Sequence, residues 1–169
     1  LGSAQFAGKI TQFVTSADYD VGTGDAAAAD GGQVSMAKRT LVFIRPATLV
    51  VIDQLRSDTP RKWEWNLHTT ASLLANGAGY KLNLEGVEMC ADVAAPNALT
   101  LAVQAGYTPA PALTTPYGAH YWNRFFYPTA KLSAYFVAVL RMDCSQPKAQ
   151  VSFPAGKPLV KLGNREIAV

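Results

Sequence analysis

The sequence predicts an all-β protein, an antiparallel β-sandwich built from stacked sheets of meanders, with no substantial helix. Strand-like runs recur roughly every 8–12 residues, and clusters of Gly, Pro, Asn and Asp separate them, as is typical of sandwiches. No long segment shows apolar residues at the 3.6-residue period of a helix. We therefore expect residues 1–169 to form a single β-sandwich domain or the C-terminal part of one.

Residues 38–70 are the stretch on which the rest of the chain is expected to pack. Residues 38–45, 49–55 and 62–70 are strand-like, with Pro46-Ala47 in the first gap and Ser57 to Pro60 in the second. Gaps this short suit antiparallel neighbours, because a parallel pair needs a crossover of about a dozen residues. The pattern predicts a three-stranded meander.

The strands before and within this stretch differ in their expected burial. Residues 6–16 alternate apolar and polar side chains, which predicts a half-buried strand, and the glycine-rich residues 17–32 predict a loop across the sheet edge. Residues 33–44 predict a long strand. Residues 49–52 are apolar throughout, which indicates a central strand covered on both faces. Alternation then places Trp63 and Trp65 on one face of their strand and His68 on the other.

The second half of the chain continues the same strand-and-turn pattern. Glu85-Gly86 joins two runs into a hairpin, and the three prolines of residues 107–116 predict an extended loop. The aromatic-rich run 121–127 is a further strand. The remaining predicted strands are residues 80–84, 87–93, 99–104, 133–142, 151–153, 159–162 and 166–169.

Composition excludes several function classes. Hydrophobic residues make up 49% of the chain and charged residues 16%, which suits a packed core. The net charge of +3, from 15 Lys+Arg against 12 Asp+Glu, is too small and scattered to predict a nucleic-acid or membrane partner. No apolar run reaches the roughly 18 residues of a membrane span. The first residues lack a signal-peptide core, so the sequence starts mature or starts inside a longer protein.

Two cysteines, Cys90 and Cys144, leave two possibilities open. They are either separate buried thiols or one disulfide of an exported protein. Their spacing fits no metal site, and we expect no metal or other cofactor in this chain. Asp18, Asp20, Asp25 and Asp30 do not have EF-hand spacing and are expected to be solvated turn residues.

Candidate binding residues lie in the aromatic run. His120, Trp122 and Arg124 combine aromatic faces with a guanidinium, a set that suits a sugar ring and its carboxylate, and alternation places Trp122 and Arg124 on the same face. The alternative is an ordinary aromatic edge strand. His68 is expected to be a histidine at the edge of the core that is hydrogen-bonded to a neighbour. The alternatives are a wall residue of a neighbouring cleft and a metal ligand, and the absence of a second histidine at metal-ligand spacing argues against the metal. No nucleophile elbow or other catalytic constellation is present.

The order of four motifs resembles the C-terminal sheet region of heparinase II/III-like polysaccharide lyases. The motifs are YDVGTGDA at residues 19–26, KRTLVFI at 38–44, LVVID at 49–53 and WNLHT at 65–69. The family shows a Y-x-x-G-D-A loop, an R-x-hydrophobic-F run before a proline, a hydrophobic-V-hydrophobic-D strand and W-x-L-H. Residues 134–140 also look like the closing strands of the family.

This resemblance implies a two-part enzyme that cleaves an acidic, uronate-containing polysaccharide, such as heparan sulfate or alginate, by β-elimination. An N-terminal α/α toroid would precede the sheet region, on the same or a separate chain, and would carry the catalytic residues and any zinc. His68 would be structural. An incomplete sandwich should also leave an uncovered apolar face. We expect a periplasmic or secreted protein of bacterial type. The alternatives are a free-standing carbohydrate-binding module and a purely structural sandwich.

Overall fold

Antiparallel strands form almost all of the regular structure. A computed structural model describes residues 7–77, 79–107 and 118–168 of the chain. The strands are β1 Lys9–Thr15, β2 Tyr19–Asp25, β3 Met36–Ile44, β4 Thr48–Arg61, β5 Glu64–Thr69, β6 Leu74–Asn76, β7 Gly79–Leu84, β8 Val87–Ala94, β9 Thr100–Ala105, β10 Tyr121–Phe126, β11 Lys131–Arg141, β12 Gln150–Ser152, β13 Leu159–Leu162 and β14 Arg165–Ala168. Two short 3-10 segments, Ala27–Asp30 and Pro154–Gly156, are the helical elements of these residues.

The strands form one large sheet and two small ones. The large sheet has the order β1-β2-β3-β4-β11-β8-β7-β6, and the small sheets have the orders β5-β10-β9 and β12-β13-β14. One apolar cluster joins the large sheet to β5-β10-β9, and a second joins its other face to β12-β13-β14. The all-β fold of stacked antiparallel sheets predicted from the sequence is confirmed. In the described part of the chain, no helix has the length and apolar character needed to cross a membrane.

Strand β4 lies at the centre of this stack, as its apolar run predicts. Val50 and Ile52 point into the cluster beneath β12-β13-β14, whereas Val51 points into the cluster beneath β5-β10-β9. All three side chains are buried. Phe136 on β11 belongs to the same apolar cluster as Val51, beneath β5-β10-β9. A strand covered on both faces has no reason to alternate with polar residues, which explains the continuous apolar sequence.

Three of the expected elements are wrong. β4 runs without a turn from Thr48 to Arg61, and β5 then pairs with β10 in another sheet, so residues 38–70 contribute the hairpin β3-β4 to the large sheet and not a three-stranded meander. The predicted loop 17–32 contains β2, which pairs with both β1 and β3. β1 is exposed along its whole length rather than half-buried, because none of the described residues forms a layer over it.

Other predictions from the pattern agree with the structure. β7 and β8 form the hairpin around Glu85 and Gly86, both of which adopt positive φ angles of 52° and 85°. That conformation matches a type I′ turn, which suits the twist of a hairpin. Trp63 and Trp65 are buried in the same apolar cluster. The predicted loop 107–116 lies outside the described residues except for Tyr107.

A disulfide and a buried ion pair fix the segment after β11. Cys90 on β8 is bonded to Cys144, with Cα atoms 5.2 Å apart, so the alternative of separate thiols is wrong. Arg141 donates to Asp92 at 3.0 Å and to the carbonyl oxygen of Gln146 at 2.6 Å. Arg141 and Asp92 are both buried, and a buried charged side chain is destabilising unless it is paired with an opposite charge or hydrogen-bonded.

The face that β5-β10-β9 covers over β4 continues over β1, β2 and β3, where no described residue covers it. Phe13, Gly22, Leu41 and Val51 are cross-strand neighbours in one row. Val51 is 6% exposed in the core, but Leu41 is 42% exposed and Phe13 is 72% exposed. Ile10 and Phe43 lie on the same face and are also exposed. We call these four side chains, Ile10, Phe13, Leu41 and Phe43, the open apolar face.

Candidate functional site

The outer surface of the small sheet β5-β10-β9 carries the residues that the sequence nominated. On β10, Asn123 and Phe125 are buried beneath the sheet, whereas Trp122 and Arg124 are partly exposed on its outer side. This alternation is the period of two expected of a strand. Trp122 and Arg124 therefore share one face, as predicted.

The buried side chains below this surface hold β10 in register with its neighbours. Asn123 donates from Nδ2 to the carbonyl oxygen of Leu67 at 2.9 Å and to Oγ1 of Thr69 at 3.0 Å. Phe125 packs on Trp65 with ring centroids 5.8 Å apart. Because the underside is fixed in this way, the positions of the outer side chains on β5 and β10 are fixed relative to one another.

Five rings and one guanidinium follow one another across the outer surface, and we call them the aromatic row. The row consists of Tyr107, His120, His68, Trp122, Arg124 and Phe126. Successive centroids lie 4.2 Å apart for Tyr107 and His120, 5.0 Å for His120 and His68, and 6.0 Å for His68 and Trp122. The planes of these pairs lie within 24° of parallel. The guanidinium carbon of Arg124 is 4.8 Å from the Trp122 centroid and 6.0 Å from that of Phe126.

The contacts within the row differ in kind. The ring nitrogens of His68 and His120 lie 2.8 Å apart and the ring centroids 5.0 Å apart, so these two rings meet edge to edge, whereas the guanidinium of Arg124 lies over the face of Trp122. The indole N–H of Trp122 donates to Oδ1 of Asn66 at 2.9 Å. The row is therefore suited to polar contacts with a ligand rather than to stacking a sugar ring on Trp122.

Arg124 is already paired within the sheet. Its Nε and Nη2 atoms donate to Oε2 of Glu64 at 3.1 and 2.8 Å. The sequence suggested this guanidinium as a partner for a sugar carboxylate. In the structure, Glu64 neutralises its charge and Trp122 covers one of its faces, so Arg124 orients its neighbours as well as offering its remaining edge to a ligand.

The two histidines meet at the centre of the row. His68 Nδ1 lies 2.8 Å from His120 Nε2, and His120 Nδ1 lies 3.2 Å from the carbonyl oxygen of Gly106. The expected hydrogen bond between His68 and a neighbour is present, with His120 as the partner, but the expected placement at the edge of the core is wrong, because the side chain is exposed. Sequence spacing could not reveal the contact, since the pairing of β5 with β10 brings the two residues together.

The site contains little that resembles a complete catalytic centre or a metal site. Among residues 7–77, 79–107 and 118–168, no group of three His, Cys, Asp or Glu side chains is placed to hold a metal ion. A pocket of about 350 Å³ adjoins the two histidines and is lined mainly by apolar side chains, among them Leu67, Leu82 and Met89.

Comparison with solved structures relates this fold to polysaccharide lyases. A heparinase III gene product superposes with a TM-score of 0.72 at 11% identity, and a heparinase III crystal structure with 0.71 at 13%. The heparan sulfate lyase HepC from Pedobacter heparinus gives 0.68 at 11% identity. The fold is that of part of a heparinase III. Each superposition covers 96% of this chain but 27% of the other protein.

This likeness confirms the resemblance drawn from the four sequence motifs at the level of fold. The chain spans about a quarter of the length of the solved lyases that it matches. No protein-family model and no curated protein matches the sequence.

Proposed function

We propose that this chain is the C-terminal β-sheet portion of a polysaccharide lyase that cleaves an acidic, uronate-containing polysaccharide by β-elimination. The observation that carries the proposal is the superposition of 96% of the chain on part of heparinase III-type proteins. The order of the four sequence motifs supports it independently of the coordinates. In such an enzyme this portion would stabilise the fold and form one wall of the substrate cleft.

The open apolar face supports the presence of a further part of the enzyme. Exposed apolar patches are usually covered by a partner, and this one extends a core layer that is covered elsewhere. The proposed occupant is the N-terminal part of the same enzyme, on the same chain or a separate one. The matched lyases are long enough to hold it, and β1, which carries Ile10 and Phe13, is the strand nearest the N-terminus.

The division of labour follows from what this surface offers. Elimination needs a base that removes the proton at uronate C5 and an acid that protonates the leaving oxygen. We assign both groups, and any zinc, to the N-terminal part, and no catalytic residue to this chain. His120, Trp122 and Arg124 are proposed as substrate contacts, because they lie together on one exposed surface of the sheet.

A location outside the cytoplasm is part of the proposal. The bond between Cys90 and Cys144 supports a periplasmic or secreted enzyme, because disulfides persist in oxidising compartments and are rare in the cytosol. An enzyme in such a compartment would also have access to an extracellular polysaccharide.

A non-catalytic carbohydrate-binding module is the second candidate. The exposed aromatic row favours it, since aromatic side chains at a surface are a common means of holding sugars. The guanidinium of Arg124 over the Trp122 ring is less favourable, because a flat sugar-binding platform needs exposed ring faces. The two candidates differ in whether bonds are broken.

The direct test is an elimination assay on the intact gene product, with the region upstream of this chain included. Heparan sulfate and alginate would be incubated with it, and the unsaturated uronate formed at the new chain end would be followed by its ultraviolet absorbance. The proposal expects unsaturated product from at least one acidic polymer. Binding without any product, for every acidic polymer tried, would replace it with the carbohydrate-binding module.

A further inference from the structure

We propose that His68 and His120 form an acid-sensitive subsite for the carboxylate or sulfate groups of an acidic polysaccharide. The inference rests on the proposed function, which supplies the class of ligand. It assigns His68, which the family resemblance treats as structural, to ligand recognition. It also makes the histidine pair, and not Arg124, the main anion contact of this surface.

The hydrogen bonds of the pair determine where its protons lie. A carbonyl oxygen only accepts, so the contact between His120 Nδ1 and the oxygen of Gly106 at 3.2 Å requires a proton on Nδ1. In the neutral ring, His120 Nε2 is then an acceptor. The proton in the 2.8 Å contact therefore belongs to Nδ1 of His68. Nε2 of His68 is left unprotonated, on an exposed side chain.

Protonation of this one nitrogen changes what the surface can bind. In the neutral pair, His68 Nε2 is a lone-pair acceptor, which repels an anion. An added proton converts it into a charged donor and disturbs neither existing hydrogen bond, because both already use other nitrogens. A charged N–H bonded to a carboxylate or sulfate oxygen is among the stronger hydrogen bonds in water.

The groups around the histidine pair add no net charge of their own, so the charge of the aromatic row depends on the pair. Arg124 and Glu64 form an ion pair at 2.8 Å and together contribute no net charge. Tyr107 stacks on His120 from the other end of the row. From β7 and β8, the residues that line the adjoining pocket are the apolar Leu82 and Met89.

Histidine is the side chain whose charge ordinarily changes between pH 5 and 8, and this chain has two of them. Both belong to the pair. We therefore expect acid conditions to strengthen anion binding by this surface through the proton added at Nε2 of His68, the nitrogen that neither hydrogen bond of the pair uses.

The test measures binding of a heparan sulfate oligosaccharide to the intact protein at pH 5.5 and 7.5, at fixed ionic strength. Three variants would be compared with the parent: His68→Gln, which cannot be charged, His68→Arg, which always is, and Lys161→Gln as a control. Lys161 is an exposed cation on β13, on the opposite side of the large sheet. The Lys161→Gln substitution removes one positive charge from the protein and leaves the residues of the aromatic row unchanged.

The parent and Lys161→Gln should bind roughly fivefold more tightly at pH 5.5 than at 7.5, the size expected of one exposed charge pair. His68→Gln should bind equally weakly at both values, and His68→Arg equally tightly at both. Retention of the parent's pH dependence by His68→Gln would overturn the inference. So would pH-independent binding by the parent, an outcome that leaves the lyase proposal intact. Absence of both binding and elimination would count against the proposed function itself.

Discussion

Arg141 and Asp92 form an ion pair at 3.0 Å with both side chains less than one-tenth exposed. Asp92 also faces Lys148 at 3.4 Å, and Arg141 also donates to Gln146, so the pair links β8 and β11 to the segment that follows β11. Removing one member of a buried pair leaves an uncompensated charge, which typically costs about 3–5 kcal/mol.

We therefore expect Asp92→Ala to lower the free energy of unfolding by about 3–5 kcal/mol, and Arg141→Met to cost a similar amount. The double variant should cost clearly less than the sum of the two, because neither charge is then left alone. Denaturant unfolding of all four proteins completes the cycle. Strict additivity of the two costs would show that the charges do not depend on each other.

Gly79 shows how closely β7 approaches the residues of the same ion pair. A Cβ atom at this position would lie 3.1 Å from the carbonyl oxygen of Ala91 and closer still to Oδ1 of Asp92. A Cβ at Gly24, in β2, would meet its nearest atom at an ordinary 3.8 Å. We expect Gly79→Ala to lower the melting temperature by several degrees, in line with about 1–3 kcal/mol for overpacking.

Gly24→Ala is the matched control, since it makes the same chemical change inside a strand without a close contact. It should leave the melting temperature within a degree or two of the parent, or raise it slightly. Equal effects from the two substitutions would mean that the contact with Asp92 is relieved at no cost.

Phe13 tests whether the open apolar face is covered in the intact enzyme. The side chain is 72% exposed here, so Phe13→Ser should change the stability of this chain by no more than about 0.5 kcal/mol. If the N-terminal part packs on this face, the same substitution should destabilise the intact enzyme by about 1–3 kcal/mol. Calorimetry of both forms separates the two effects.

Val87→Ser supplies the control for that comparison. Val87 is 64% exposed at the β7–β8 hairpin, away from the open apolar face, and its substitution should be almost neutral in both forms. A Phe13→Ser variant of the intact enzyme that melts like the parent would show that nothing covers the face.

Tyr127 provides a prediction about alkaline pH. Its hydroxyl donates to the carbonyl oxygen of Tyr135 at 2.8 Å, and burial raises the pKa of the phenol above its ordinary value of about 10. A raised pKa in the folded state means that stability is fully present below the unfolded value and is lost as pH rises past it. The alkaline decline in unfolding free energy should therefore be shallower in Tyr127→Phe.

At neutral pH the same variant should lose about 1 kcal/mol, because the carbonyl of Tyr135 loses its donor. The measurement is the unfolding free energy of both proteins between pH 8 and 11. Parallel curves over this range would show that ionisation of Tyr127 is not linked to unfolding.

Much of the fold was accessible from local pattern. The unbroken apolar run around Val50 predicted a strand covered on both faces, and Glu85-Gly86 predicted a hairpin turn. The period of two placed Trp122 and Arg124 together before any coordinates were known. In each case the property depends on a residue's immediate neighbours in sequence, which is the information that periodicity carries.

The errors concern partners that lie far away in sequence. Nothing local in β5 indicates that it leaves β4 for β10, and nothing in β1 shows that its apolar side chains are exposed in the described part of the chain. His68 and His120 are 52 residues apart, and Cys90 and Cys144 are 54 apart. These contacts are set by strand pairing across the whole chain, and strand propensity itself depends on such context.

We propose that these strands support a cleft whose acid and base lie elsewhere in the enzyme. To test this, this chain and the upstream part of the gene product would be expressed as separate polypeptides, and elimination of heparan sulfate and alginate would be measured. We expect no unsaturated product from this chain alone and activity when the two parts are combined. Unsaturated product from the isolated 169-residue chain would contradict it.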